Sequence, residues 1–154
     1  MKIYDSLSQR LQTQYKALTP IIDHISDEKL ISTPAPGKWS IHDQIAHLAR
    51  YQVIFIDRMQ QILDTPGVQF GAYKGDEDSE FPAYQLTSLN DLLRGYDVNR
   101  AKILALLNGL SDEELALTGV HPRYGTLDIM QWAEFFVLHE AHHLFSIFQL
   151  ANSN

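Results

Sequence analysis

Residues 132–150 read WAEFFVLHEAHHLFSIFQL, a run without proline or glycine whose apolar residues recur at helical spacing. Intervals of four and three residues join one stripe of this run, which predicts a helix with one face in a bundle core. The stripe consists of Trp132, Phe136, His139, His143, Ser146 and Leu150. Burying two imidazoles costs free energy unless something satisfies them. The run therefore predicts a helical bundle and also a role for its histidines.

Three other stretches have the helical period, and strict alternation over five or more residues is hard to find, so we predict an all-α fold. The four helices are expected at residues 3–25, 41 to about 63, 89 to about 109, and from after 126 to about 150. Pro20 lies inside helix one and predicts a kink or a break. Helix two begins after Ser40, which is spaced with Asp43 as a cap. Ser111 and Glu114 have capping-box spacing and predict a short helical turn.

The connection between helices two and three, residues 65–87, is long and rich in proline, glycine and acidic residues. It is long enough to return along a bundle of roughly 30–35 Å, so helices two and three can be parallel. If the shorter connections make helices one and two, and three and four, antiparallel pairs, helices two and four are antiparallel as well. We therefore predict a single domain over residues 1–154, a four-helix bundle with a long crossover between helices two and three.

Composition restricts the classes of function. Nineteen acidic and twelve basic residues give a net charge of −7, which disfavours binding to nucleic acids and to anionic membranes. The sequence has no run long enough to span a membrane and no export signal at its start, so we expect a soluble, cytoplasmic protein with a small-molecule partner. It has no cysteine, so any metal must be held by His, Asp or Glu. Whether exposed helix faces join two copies into a homodimer is left open.

His139 and His143 are four residues apart, a spacing at which two rings on one helix can reach one metal ion. They also complete an H-E-x-x-H pattern, but residues 144–154 contain no His, Asp, Glu or Cys, so a third ligand must lie upstream. His47, on the shoulder of helix two, is the best candidate, because antiparallel packing would bring it level with His143. The alternative is that these histidines hold no metal and are satisfied by hydrogen bonds.

Two residues of the same helix are candidates for supporting roles. Glu140 is a candidate general acid or base, or a hydrogen-bond partner of a ligand. It lies about 100° around the helix from His139 and could equally face solvent. His142 is expected at the surface or behind the ligands rather than as a ligand.

Helix two offers three further candidates around His47. Asp43, one turn earlier, could orient its ring. Tyr51 and Arg58 lie on the same side of the helix and could line a pocket, where Arg58 would suit a carboxylate or a thiol cofactor. The alternative for both is a solvated helix flank.

Three pieces of the sequence, which together cover nearly the whole chain, resemble the DinB-like family. They are Gly37-Lys38-Trp39-Ser40-Ile41 with His47 downstream, Leu110-Ser111-Asp112-Glu113-Glu114-Leu115 followed by Gly125-Thr126, and Val137-Leu138-His139-Glu140-Ala141-His142-His143. The resemblance implies a four-helix bundle with a long crossover that holds a divalent metal on His47, His139 and His143. After the last histidines the family more commonly has a small polar run, whereas this chain has Leu144-Phe145-Ser146-Ile147, so the substrate stays open.

Three neutral imidazoles leave at least one coordination position open, which is typical of catalytic metal sites. The resemblance implies a bacterial metal-dependent enzyme, either an S-transferase using a low-molecular-weight thiol or a hydrolase. Such a site accepts zinc, nickel, iron or manganese. The alternatives are a non-catalytic bundle whose metal stabilises the fold, and an interaction module without metal.

Overall fold

The computed structural model describes residues 3–153, and within that range the chain forms a helical bundle with a small β-sheet. The helices are α1 (Asp5–Thr13), α2 (Leu18–Ile22), α3 (Asp27–Ile31), α4 (Ile41–Asp64), α5 (Phe81–Gln85), α6 (Leu89–Gly109), α7 (Asp112–Leu115) and α8 (Ile129–Asn152). The strands are β1 (Val68–Gln69), β2 (Thr118–His121) and β3 (Gly125–Asp128). The predicted four-helix bundle is confirmed, with α4, α6 and α8 as its long members. Across residues 3–153, every helix is too short or too polar to cross a membrane.

Contacts between α4 and α8 show that these helices run antiparallel, as predicted. Near the start of α4, Gln44 bonds to His143 near the end of α8. Farther along α4, the guanidinium carbon of Arg58 lies 5.5 Å from the ring centroid of Trp132, near the start of α8. Residue numbers thus rise along one helix as they fall along the other, which brings the predicted histidines to one level.

Helices α4 and α6 run parallel, so the segment between them is a crossover. Near the start of α4, His42 bonds to the carbonyl of Thr87, just before α6 begins. Farther along α4, Gln52 bonds to the carbonyl of Tyr96 within α6, so residue numbers rise in the same direction along both helices. The crossover is not structureless, because it contains β1, a 3-10 turn at Gly75–Glu77 and α5.

The first predicted helix is interrupted. A 3-10 stretch at Gln14–Ala17 separates α1 from α2. Pro20 has no N–H to donate to the carbonyl of Lys16, and its ring pushes that carbonyl away. The backbone therefore tightens in the turn before the proline.

The sheet was not predicted. Strands β2 and β3 form an antiparallel hairpin with Thr118 opposite Asp128, and β1 pairs with β2 in parallel. Strands of two and four residues are too short to show alternation. Gly125 closes the hairpin with a φ of 73°, a left-handed conformation that favours glycine. The sheet fastens the crossover to the segment that leads into α8, whose first turn is capped by Asp128.

A polar layer divides the hydrophobic core into two apolar clusters. One cluster includes Leu11, Met59 and Trp132, and the other includes Leu18, Ile45 and Ile147. Between them lie the polar side chains of Gln14, His47, Gln52, Arg100, His139, Glu140 and His143. A polar layer inside a small bundle is costly unless its members are paired. It is therefore the natural place to look for a functional site.

Candidate metal centre

Three histidines from two helices converge in the polar layer. The Nε2 atom of His139 lies 3.2 Å from Nε2 of His47 and 3.2 Å from Nε2 of His143. One ring nitrogen of each histidine lies within 4.8 Å of those of the other two. The structure thus brings together the three residues that the sequence analysis named as ligands.

The spacing of these nitrogens fits a shared metal ion. A tetrahedral ion with metal–nitrogen distances of about 2.0–2.1 Å holds two nitrogens about 3.3 Å apart. Hydrogen bonds explain the arrangement less well, because Nε2 of His139 carries either one proton or one in-plane lone pair yet is approached by two rings. A cation accepts lone pairs from all three rings at once.

Electrostatics also favours a cation at this point. Burial lowers the pKa of His47 to about 4, that of His139 to about 2 and that of His143 to about 3. All three imidazoles are then neutral at pH 7, which is the form that binds metal. The carboxylates of Asp76 and Asp78 oppose the effect of burial on His47, so their field favours positive charge there. The donor set and the field together fit a divalent ion.

Gln44 orients one of the rings, and the sequence analysis did not name it. Its Oε1 accepts a hydrogen bond from Nδ1 of His143. Since a neutral imidazole carries one proton, this bond leaves the Nε2 lone pair of His143 free for a metal. Gln44 precedes His47 by three residues and so shares its side of α4, which is the sequence signal that could have found it.

Aromatic rings from the segment before α4 and from the crossover close one side of the centre. The ring of Trp39 lies 4.8 Å and that of Tyr73 lies 5.8 Å from the ring of His47, centroid to centroid. Trp39 donates a hydrogen bond from Nε1 to Asp76, at 2.8 Å, which ties the 3-10 turn to the start of α4. A Cβ on Gly75 would lie 2.6 Å from the Trp39 ring and 3.1 Å from Nδ1 of His47. Only glycine lets the turn approach this closely.

Asp78 holds the same turn from the other side. Its carboxylate accepts hydrogen bonds from Nε of Arg50 at 2.8 Å and from the hydroxyl of Tyr73 at 3.0 Å. These bonds lower the pKa of Asp78 against the opposing effect of burial. The sequence showed an acidic cluster here but not the partners that order it.

Tyr51 and Arg58 are buried beside the centre, which rules out a solvated flank. Tyr51 is 4% exposed, and its ring centroid lies 4.0 Å from that of His139. Burial raises the pKa of Tyr51 to about 12, so its hydroxyl stays protonated. Arg58 is 8% exposed, and its guanidinium lies over Phe70 and Trp132, with one hydrogen bond to a backbone carbonyl.

The structure does not bring Glu140 to the histidines. One carboxylate oxygen accepts a hydrogen bond from Gln14 at 2.9 Å, and the other accepts from the Tyr96 hydroxyl at 2.5 Å and pairs with Arg100. Glu140 is 1% exposed and Arg100 is fully buried. The glutamate therefore joins α8 to α6 across the polar layer, and an acid–base role at the metal is not supported by its position.

Asp43 and His142 also lie outside the set of candidate metal ligands. Asp43 caps α4 by accepting from the backbone and hydroxyl of Ser40, and its other oxygen accepts from Gln85 at 2.8 Å. It does not bond to His47. His142 is exposed, with its ring centroid 5.1 Å from that of His143, and lies on the wall of a neighbouring cavity.

This cavity opens beside His139 and has a volume of about 580 Å³. Its lining consists of Tyr124, Leu127, Gln131, Glu134, Phe135, Leu138, His139 and His142. The hairpin supplies one wall and α8 the other. Because His139 belongs to both the cavity and the histidine cluster, a molecule in the cavity lies beside the candidate metal centre.

Two bacterial proteins are similar to this chain in sequence. The chain is 27% identical over 137 residues to "Uncharacterized protein YuaE" of Bacillus subtilis, which covers 78% of this chain and 82% of that protein. It is 25% identical over 152 residues to "Putative metal-dependent hydrolase OB0413" of Oceanobacillus iheyensis, which covers 99% and 86% respectively.

A solved structure has the same architecture. The structure of YfiT from Bacillus subtilis, described as "a probable metal-dependent hydrolase with an unusual four-helix bundle topology", matches with a TM-score of 0.78 and 20% identity. The match covers 95% of this chain and 84% of YfiT. The sequence model of the DinB superfamily matches residues 10–147, which include all three histidines. With most of its length matched in this way, the chain belongs to the DinB superfamily.

Proposed function

We propose that this protein is a metal-dependent hydrolase of a small molecule, with a divalent ion held by His47, His139 and His143. The observation that carries the proposal is the convergence of three neutral imidazoles, with Nε2 spacings of 3.2 Å, beside an open cavity. The names of OB0413 and YfiT support hydrolysis as the reaction type.

A divalent ion bound here would supply the Lewis acidity that makes water a nucleophile near neutral pH. The protein's own residues do the positioning. Gln44 keeps the Nε2 lone pair of His143 free, and Tyr51 packs against His139 and excludes water from the inner side. His139 belongs to both the histidine cluster and the cavity wall, so a substrate in the cavity would present the bond to be cleaved near this ring.

Metal content is the first test. Elemental analysis of the purified, untagged protein is expected to find about one divalent ion per chain, chosen from zinc, nickel, iron and manganese. The variants His47→Ala, His139→Ala and His143→Ala are expected to lose the ion while circular dichroism still shows a helical fold. His24→Ala is the matched control, because His24 is exposed and outside the cluster. Absence of metal after reconstitution with all four ions would overturn the proposal.

Product analysis is the second test. The metal-loaded protein, assayed against a panel of esters and amides, is expected to release an acid without any added thiol and to stop when a chelator removes the ion. A requirement for a low-molecular-weight thiol, with an S-conjugate as product, would replace hydrolysis by S-transfer. Bound metal without turnover of either kind would leave a non-catalytic metal-binding bundle.

A further inference from the structure

The cavity beside the metal centre has the size of a small-molecule site. Its volume of about 580 Å³ lies within the range of about 300–1,000 Å³ found for such sites. It is bounded by the β2–β3 hairpin and by the face of α8 that carries Leu138. His139 forms part of the wall, so the cavity adjoins the histidine cluster at this ring. A small molecule bound in the cavity would therefore lie beside the candidate metal centre.

The walls of the cavity are mainly apolar. Tyr124 and Leu138 are 52% and 56% exposed on opposite sides of it. The rings of Phe135 and His121 pack against Tyr124, with centroid distances of 5.7 Å and 4.6 Å, and hold the hairpin tip in place. Large apolar side chains around a concave surface favour an apolar ligand that removes them from water.

The cavity offers no free charge. Glu134 is the carboxylate in its lining, and both of its oxygens accept from Arg10, at 2.6 Å and 2.8 Å, while the Tyr4 hydroxyl bonds to one of them. These bonds lower the pKa of Glu134, which stays ionised but neutralised by the arginine. No lysine or arginine lines the cavity. In the part of the cavity away from the histidines, an ionic group would lose its hydration without gaining an unpaired lysine, arginine or carboxylate as a partner.

From these three observations we propose that the cavity receives the uncharged, apolar part of the substrate, an aryl or branched alkyl group next to the bond that is hydrolysed. The inference rests on the proposed function and adds its substrate class. Gln131 and His142 in the lining provide polar groups that can orient the neutral group around that bond.

Two fluorescent probes with one skeleton test the charge preference. N-phenyl-1-naphthylamine is neutral, and 8-anilino-1-naphthalenesulfonate carries one sulfonate on the same ring system. The cobalt-loaded protein is expected to bind the neutral probe at least tenfold more tightly. Entry of the neutral probe is also expected to change the visible spectrum of the cobalt ion, because the cavity reaches His139.

A pair of variants on α8 locates the binding. Leu138→Asp puts a charge in the cavity wall and is expected to weaken binding of the neutral probe at least tenfold. Phe145→Asp is the matched control, because Phe145 is 60% exposed on the same helix and does not line the cavity. It is expected to leave binding within twofold. Light scattering after size exclusion should show the same oligomeric state for both variants and the parent protein.

Several outcomes would overturn the inference. The first is binding of the sulfonate probe that equals or exceeds binding of the neutral probe, and the second is an equal effect of the two variants. The third is an effect of Leu138→Asp that follows only from dissociation of a dimer, and the fourth is probe binding without a change in the cobalt spectrum. Metal binding without a preference for the neutral probe rejects the inference alone. Loss of metal binding with the preference retained rejects the proposed function, and the cavity's role as a substrate site with it.

Discussion

Gln44 decides which nitrogen of His143 is free, although it does not belong to the histidine cluster. Gln44→Leu removes the acceptor for Nδ1 and lets the ring rotate or change tautomer, so metal affinity is expected to fall by roughly 10–100-fold. Competition with a chromophoric chelator measures this change. Gln44→Glu keeps an acceptor at the same place and should preserve the affinity. Equal affinities for Gln44→Leu and the parent protein would contradict the assignment.

The contacts of Glu140 indicate a role in stability rather than in catalysis. A measurement of stability distinguishes the two roles. Glu140→Gln leaves the buried Arg100 without its counter-charge, so the free energy of unfolding is expected to fall by about 3–5 kcal/mol in urea titrations. The double variant Arg100→Met/Glu140→Leu removes both charges and should recover much of the loss. Unchanged stability with lost turnover would instead return Glu140 to the catalytic residues.

Among the elements, the 3-10 turn at Gly75–Glu77 comes close to His47, since a Cβ on Gly75 would lie 3.1 Å from its Nδ1. Gly75→Ala places a Cβ against Trp39 and His47 and pushes the turn away, so metal affinity is expected to fall roughly tenfold. His47 should also react faster with a histidine-modifying reagent. Gly71→Ala is the control, because a Cβ there meets nothing within 4 Å. An affinity equal to that of Gly71→Ala would show that the turn does not support the site.

The elements differ in how well sequence predicts them. The helical period of a long helix is visible in its own sequence. The ends of α4, α6 and α8 were therefore predicted to within a few residues. Strand β1 was missed because it gains its partner only when the crossover folds back onto β2, and β2 and β3 were missed because four residues show too little alternation. The break before Pro20 was predicted as an alternative and has the expected local cause.

The site was predictable to the extent that it follows from helix geometry. The spacing of His139 and His143 and the antiparallel packing of two helices were enough to name His47. The supporting residues were harder to predict from the sequence, because Gly75, Asp76 and Asp78 come near the histidines only through the path of the crossover. The burial of Arg58 likewise depends on Phe70 of the crossover, which covers its guanidinium, and Tyr51 packs against Tyr73 of the same segment.

For the whole molecule, the polar layer makes stability depend on pH. Each of the three histidines has a lower pKa in the folded chain than its usual value of 6.5, so the unfolded chain binds more protons below that pH. Without metal, the free energy of unfolding is expected to fall as the pH drops from 6.5 towards 4, with a slope approaching about 1.4 kcal/mol per pH unit for each histidine and about 4 kcal/mol per pH unit for the three together.

Urea titrations of the metal-free protein at several pH values measure this slope. His139→Asn should reduce it by about one third, and His24→Asn should leave it unchanged because His24 is exposed. The loss is largely complete once the pH passes below the folded pKa values. A flat profile between pH 6.5 and 5 would show that the imidazoles are not held neutral in the fold.

The long sequence separation between His47 and His139, 92 residues, also has a consequence for biosynthesis. A ribosome adding about 5–20 residues per second needs roughly 5–20 s to travel from one to the other. During that time the emerging chain carries only the first of the three candidate ligands, and a single imidazole holds metals weakly. Any ion in the centre is therefore chosen by the finished bundle, and its identity reflects the metal supply where folding is completed.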